Sequence, residues 1–180
     1  MIKDFLRVFS WLTLAVSIAV LTGCASPAQV SNMKATPAID GKKFARAIKV
    51  EVKGGAETES LSSSNVSNAD LKAAIESSIE SSGLFKSIVQ GKDGDYELSV
   101  TVTQLNKPLF GASFTVTMET AWSLVKISDK SIAMRKVILS SHTASIGDAF
   151  VGVTRLRLAV EGAVQDNIKQ GLEAISKLTL

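Results

Sequence analysis

Thiols, imidazoles and prolines are scarce in this chain: among 180 residues there is one cysteine, Cys24, one histidine, His142, and three prolines. A lone cysteine closes no internal disulfide, so the fold has to be held by packing. A single histidine rules out any metal centre built on two imidazoles, and no metal is expected. His142 could activate a serine with Asp148 as orienter, but the chain has no G-x-S-x-G elbow to present one. The glycines of Gly147-Asp148-Ala149-Phe150-Val151-Gly152 lack the spacing of a phosphate loop. No run of hexapeptide repeats is present. The sequence therefore offers no catalytic constellation and no cofactor, and an enzyme is not expected. Charge of one sign is not in excess either, with 20 basic and 17 acidic residues and a net charge of +3. Basic residues do not cluster with aromatics, which removes the footprint of a nucleic-acid binder.

Long apolar runs are also absent, except at the N-terminus. There a basic start (Lys3 and Arg7, with Asp4 between them) precedes an apolar run from Val8 to Leu21 and small residues at its exit. This is the three-part pattern of a secretory signal peptide, too short to span a bilayer comfortably. The run closes on Leu21-Thr22-Gly23-Cys24, which resembles the lipobox of bacterial lipoproteins. The resemblance implies that a diacylglyceryl group is added to Cys24, that residues 1–23 are removed, and that the new amino terminus is acylated. It also implies outer-membrane sorting with the domain facing the periplasm, since Ala25 rather than aspartate follows the cysteine. The alternative makes Cys24 an ordinary residue beside a conventional cleavage site. Lipid on Cys24 would be the only covalent hold on the bilayer, and acyl chains at about 0.8 kcal/mol per buried CH₂ make that hold effectively permanent.

Residues 24–43, with Pro27, Pro37 and Gly41 and no sustained periodicity, read as a lipidated N-terminus and flexible tether reaching roughly 65 Å when stretched. Residues 44–180 read as one domain, of a length that supports a usable core. Ile48, Val50 and Val52 alternate with polar residues as in a half-buried strand. A helix follows, capped by Asn68 and ended by Gly83, with Leu71, Ala74, Ile75, Ser78 and Ile79 on one face. Lys53 to Ser67, rich in serine, reads as a mobile loop. Period two returns in a short strand from Lys86, in Tyr96 to Thr103, in Phe114 to Leu124 and from about Ile132 to Ser145, the last two forming a long hairpin of mixed phase near Val125 and Val137. A long helix closes the chain, with Asp148 as its expected cap and a stripe from Phe150 and Val153 through Val160, Val164, Ile168, Leu172 and Ile175 to Leu178. The expected fold is α+β, a largely antiparallel sheet with two helices on one face, in the order β-α-β-β-β-β-α.

Three polar residues of the last helix, Arg157, Glu161 and Asn167, fall within or at the edge of its apolar stripe, whereas Arg155, Asp166, Lys169, Glu173 and Lys177 project away. Arg157 and Glu161 are spaced to pair along the helix. They form either a structural ion pair or, with Asn167, a polar contact site. Val151 and Leu158 make a smaller apolar patch.

Behind the lipobox, Gly83-Leu84-Phe85-Lys86-Ser87-Ile88 and Asp95-Tyr96-Glu97-Leu98-Ser99-Val100 give the chain a resemblance to small periplasmic auxiliary lipoproteins, such as those of ABC-type transport systems. More distantly it resembles lipoprotein activators of cell-wall synthases and the curli secretion lipoprotein. The resemblance implies a non-enzymatic binding or accessory component of an envelope system, contacting outer-membrane lipid through Cys24 and either an envelope protein or further copies of itself. The alternatives are a self-assembling structural or secretion component, and a hydrolase or transferase with carboxylates that the sequence does not reveal.

Overall fold

The structure is a computed structural model that describes residues 25–39, 41–59, 63–91 and 93–180. The lipobox and Cys24 lie outside the described residues. Alternating apolar and polar side chains build β1 (Phe44–Lys53), β2 (Phe85–Ile88), β3 (Tyr96–Asn106), β4 (Phe114–Lys126) and β5 (Ile132–Ala144). Three helices accompany them, the single-turn α1 (Val30–Met33), α2 (Asn68–Ser82) and α3 (Gly152–Ser176). The α+β class and the expected succession hold, with α1 added in front.

The strands form one sheet in the order β2-β1-β3-β4-β5. β1 pairs in parallel with both β2 and β3, whereas the β3–β4 and β4–β5 pairs are antiparallel. The sheet is thus mixed rather than largely antiparallel. The cause is α2, which carries the chain back so that β2 lies beside β1 in the same direction. The chain then passes to the far side of β1 and leaves β3 parallel as well. Period-two alternation is the same for either direction, so the sequence pattern carries no trace of this. The long β4–β5 hairpin is present, and its register slips between Leu124 and Val125, where the apolar phase is mixed.

One face of the sheet is covered by α2 and α3. Ile48, Val50, Leu98, Val100, Val116, Met118, Trp122 and Leu124 form a single buried cluster with Leu71, Ile75 and Ile79 of α2 and Val160, Val164, Ile168, Leu172 and Ile175 of α3. On the other face Lys49 sits between Glu51 at 3.0 Å and Glu97 at 3.4 Å. α2 is capped by Ser67, whose hydroxyl accepts from the Asp70 N–H, and not by Asn68, whose Oδ1 accepts from Gly55 N–H instead. It ends as expected, in a left-handed Gly83. α3 begins after Val151 without a side-chain cap, because Asp148 lies outside the helix and is bonded to Ser145.

α3 lies so close to the sheet that two of its glycines face rings. A Cβ at Gly171 would stand 2.5 Å from the Trp122 indole, and one at Gly162 would stand 2.2 Å from the His142 imidazole. Trp122 and Thr120 direct their Nε1–H and hydroxyl at Asn167 Oδ1, at 3.2 and 2.6 Å.

The described part of the expected tether is laid down on the domain. Ala28, Met33 and Ala35 are buried, and the strap they form has partners along its length. Glu161 accepts from Gln29 N–H and Asn32 Nδ2, both at 2.8 Å; Ser78 accepts from Ala35 N–H at 2.9 Å; and Gln165 donates to the Lys34 carbonyl. A segment that pays its backbone hydrogen bonds in this way is an element of the fold. The loop expected to be mobile is likewise pinned where it is described, with Ser64, Val66 and Ser67 buried.

Candidate functional site

The sheet directions place the C-terminal ends of β1, β3 and β5 together with the N-terminal ends of β4 and α3. Three connections therefore share one end of the molecule: the described parts of the β1–α2 connection (residues 54–59 and 63–67), residues 107–113 and residues 145–151. Of nine large apolar side chains exposed among the described residues, six are at this end. They are Leu109 (81%), Phe110 (88%), Ile146, Phe150 (88%), Val151 and Val153. Phe150 and Val153 were expected to begin the buried stripe of the last helix. The helix starts only at Gly152, and its first turn overhangs the sheet, so both side chains stand clear.

The two apolar loops are joined by Arg155, which the helical wheel assigns to solvent but which is only 6% exposed. Its guanidinium donates to the carbonyls of Ala149 (2.8 Å) and Phe150 (3.1 Å) on one loop and of Gly111 (3.2 Å) on the other. It also lies 5.0 Å from the centroid of the Phe114 ring, a cation–π distance. A planar, always-charged fork suits this bridging, since its donors reach several carbonyls at once. Replacing it with methionine keeps much of the volume and removes every donor. Arg155→Met is expected to cost about 2 kcal/mol and to speed amide exchange in both loops together, a coupling that hydrogen-exchange mass spectrometry reads directly.

The second loop is further set by Asp148, whose Oδ2 accepts from Ser145 N–H (2.7 Å) and hydroxyl (2.9 Å). The Ser145 N–H, then its hydroxyl, hold the Asp148 carboxyl below the usual carboxylate range. A depressed folded pKa means that the contribution is complete above the unfolded value and is lost as pH falls through the folded one. The turn should stay closed in mildly acidic buffer and open only below the ordinary carboxylate range; the Ser145 amide shift followed by NMR against pH checks this.

At the base of the first loop, Lys107 Nζ donates to the Ser64 carbonyl at 2.9 Å and to Asn65 Oδ1. Burial pushes the Lys107 ammonium down. Ser64 in turn donates its hydroxyl to the Ser26 carbonyl at 2.8 Å, and Ala28 N–H reaches the Asn65 carbonyl. The beginning of the strap is therefore stitched to the loop that carries Leu109 and Phe110.

The residues singled out in the sequence fall at three places. Arg157 Nε lies 3.5 Å from Glu161 Oε1, with the carboxylate 2% exposed and also holding the strap. Asn167 shares none of these partners. Its Nδ2 faces the Ile138 carbonyl and Ser140 hydroxyl, both at 3.3 Å, at the contact of α3 with the sheet. His142 Nδ1 faces Asp166 at 3.8 Å, each about half exposed, and Asp148 is occupied by Ser145. A cleft of about 300 Å³ beside His142 is lined by Asn32, Asp148, Glu161 and Gln165. Its most buried acid, Glu161, is already bonded to the strap. No helix among the described residues is long and apolar enough to cross a membrane.

No family model matches the chain, and no curated protein matches it. Solved structures do. Protein XCC0632 from Xanthomonas campestris, of the DUF330 family model, superposes with a TM-score of 0.63 at 14% identity, covering 84% of this chain and 95% of that one. The hypothetical protein CT253 from Chlamydia trachomatis superposes at 0.54 with 9% identity, over 74% of this chain and 96% of that one. At these identities the similarity establishes a shared fold.

Proposed function

We propose that the chain is a lipid-anchored accessory protein of the bacterial envelope, held at the outer membrane through Cys24, facing the periplasm, and acting by binding rather than catalysis. The observation that carries this reading is the strap. It joins Ser26, two residues after the lipobox cysteine, to the end of the domain that displays most of the exposed apolar side chains. A surface of this kind is a contact surface. The side chains that the sequence suggested for chemistry are meanwhile spent on internal partners: Asp148 on Ser145, Glu161 on the strap and Asn167 on β4 and β5.

The anchoring half of the reading is tested by Cys24→Ala. Wild-type protein is expected in the membrane fraction with labelled fatty acid attached. The variant is expected to lose the label completely and to leave that fraction. A variant that still sediments with membranes and still carries label contradicts the reading.

One observation favours self-assembly as a second reading. β5 is an edge strand of 13 residues, paired only with β4, and exposes Ile132, Val137 and Leu139. Long edges with exposed apolar side chains are templates for further pairing. Light scattering of the detergent-purified lipidated protein over a range of concentrations decides it. A mass that rises with concentration, and that falls back in Val137→Lys, supports assembly through β5.

A further inference from the structure

We infer that the loop end bearing Leu109, Phe110, Phe150 and Val151 lies in the interfacial layer of the same bilayer that holds Cys24. The inference rests on the acylation of Cys24 proposed above, and the geometry supplies the rest. Ser26, two residues from the anchor, is bonded to Ser64, and Ser64 is bonded to Lys107, two residues before Leu109. Two residues span at most about 7 Å. The remainder of the strap is fixed to α2 and α3 by Ser78, Glu161 and Gln165, so the slack between anchor and domain is limited to the two residues before Ser26. With acyl chains starting one peptide bond from Ala25, the anchor leaves the domain from the segment that is bonded to this end.

The chemistry of the end suits that position. Phe110 and Phe150 are each 88% exposed. They therefore project as convex tips instead of lining a concave pocket, as bilayer insertion requires. The carbonyls of Gly111, Ala149 and Phe150 behind them are bonded to Arg155, so three backbone acceptors at this end are already satisfied by the protein itself. The opposite end, where Ser128, Asp129 and Lys130 turn between β4 and β5, is polar and exposed.

The test uses the purified lipidated protein in protein-free phospholipid vesicles. Acylation consumes the Cys24 thiol, so Phe110→Cys, Phe150→Cys and Ser128→Cys each offer one free thiol for an environment-sensitive fluorophore. At 110 and 150 the emission is expected to shift to shorter wavelength. It should be quenched more by spin labels near the lipid carbonyls than by labels deep in the chains, matching insertion of about 5–10 Å. At 128 it is expected to match water. Fluorophores at 110 and 150 that behave like the one at 128 overturn the inference. So does a shift confined to native membranes, which assigns the surface to a protein, or one that grows with protein density and escapes lipid quenching, which assigns it to a second copy. The mass of the N-terminal peptide separates the two levels. With acyl mass present and no quenching, only the insertion fails. Without acyl mass, the anchoring reading fails and takes the insertion with it.

Discussion

Gly171→Ala is expected to destabilise the protein by about 3 kcal/mol, at the upper end of what added core volume costs, even though alanine is the better helix former. A Cβ at this position would meet the Trp122 ring at 2.5 Å. Trp122 is 1% exposed and held through its Nε1–H by Thr120 and Asn167, so it has nowhere to turn. The helix-propensity gain of alanine over glycine, about 0.8–1 kcal/mol, is smaller than the clash and does not reverse its sign. For a domain of this size the melting temperature should fall by roughly 6–12 °C. Gly162→Ala is the control. Its Cβ would meet His142, whose side chain is about half exposed and can swing toward solvent. A Gly162→Ala loss as large as that of Gly171→Ala would mean that approach of α3 to the sheet, and not the immobility of Trp122, sets the cost. In the processed form proposed above, Trp122 is the only tryptophan, so its fluorescence reports the repacking directly.

Glu161→Ala should cost roughly 3 kcal/mol, the lower end of the range for stripping one partner from a buried pair. The carboxylate is 2% exposed and serves three groups: Gln29 N–H, Asn32 Nδ2 and the Arg157 guanidinium. Its removal leaves two part-buried strap donors without their acceptor and a cation without its counter-charge. Arg157, 20% exposed, recovers some hydration, which keeps the loss from being larger. Arg157→Leu is expected to cost less, because Glu161 then still accepts from two donors. The change should also release the strap. Tryptic cleavage after Lys34 is expected to accelerate strongly in Glu161→Ala and little in Arg157→Leu. Equal cleavage rates in the two variants would show that the carboxylate does not hold the strap.

The strap is also where sequence and structure part most instructively. Two polar residues on helix faces that are otherwise apolar, Ser78 and Glu161, were its signature in the sequence. Each is there to receive a strap amide: Ala35 N–H at Ser78 and Gln29 N–H at Glu161. The signal was legible, but its partner was not, because a segment with Pro27, Pro37 and Gly41 and no period has the composition of a linker. The strands and both long helices were legible because their burial follows simple periods. Strand direction was not, since alternation is blind to it.

Arg155 was misplaced for a different reason. A helical wheel treats every turn as covered, whereas the first turn of α3 overhangs the sheet, and there the roles invert. Phe150 and Val153 are left outside, and a guanidinium is drawn in by free carbonyls and the Phe114 ring. The candidate contact surface was thus hidden twice. Phe150 looked like core, and the residue that organises the two loops looked like surface.

The central claim, that this anchored domain works through its apolar loop end, is tested most directly by photocrosslinking in intact cells. A photoreactive phenylalanine analogue is placed at Phe150 and, as comparison, at Ser128, and the lipidated protein is recovered in mild detergent for mass spectrometry. The account predicts adducts with membrane lipid or with an envelope protein at position 150 and none at 128. Equal capture at the two positions, or no capture at 150 from protein that is acylated and folded, would contradict it.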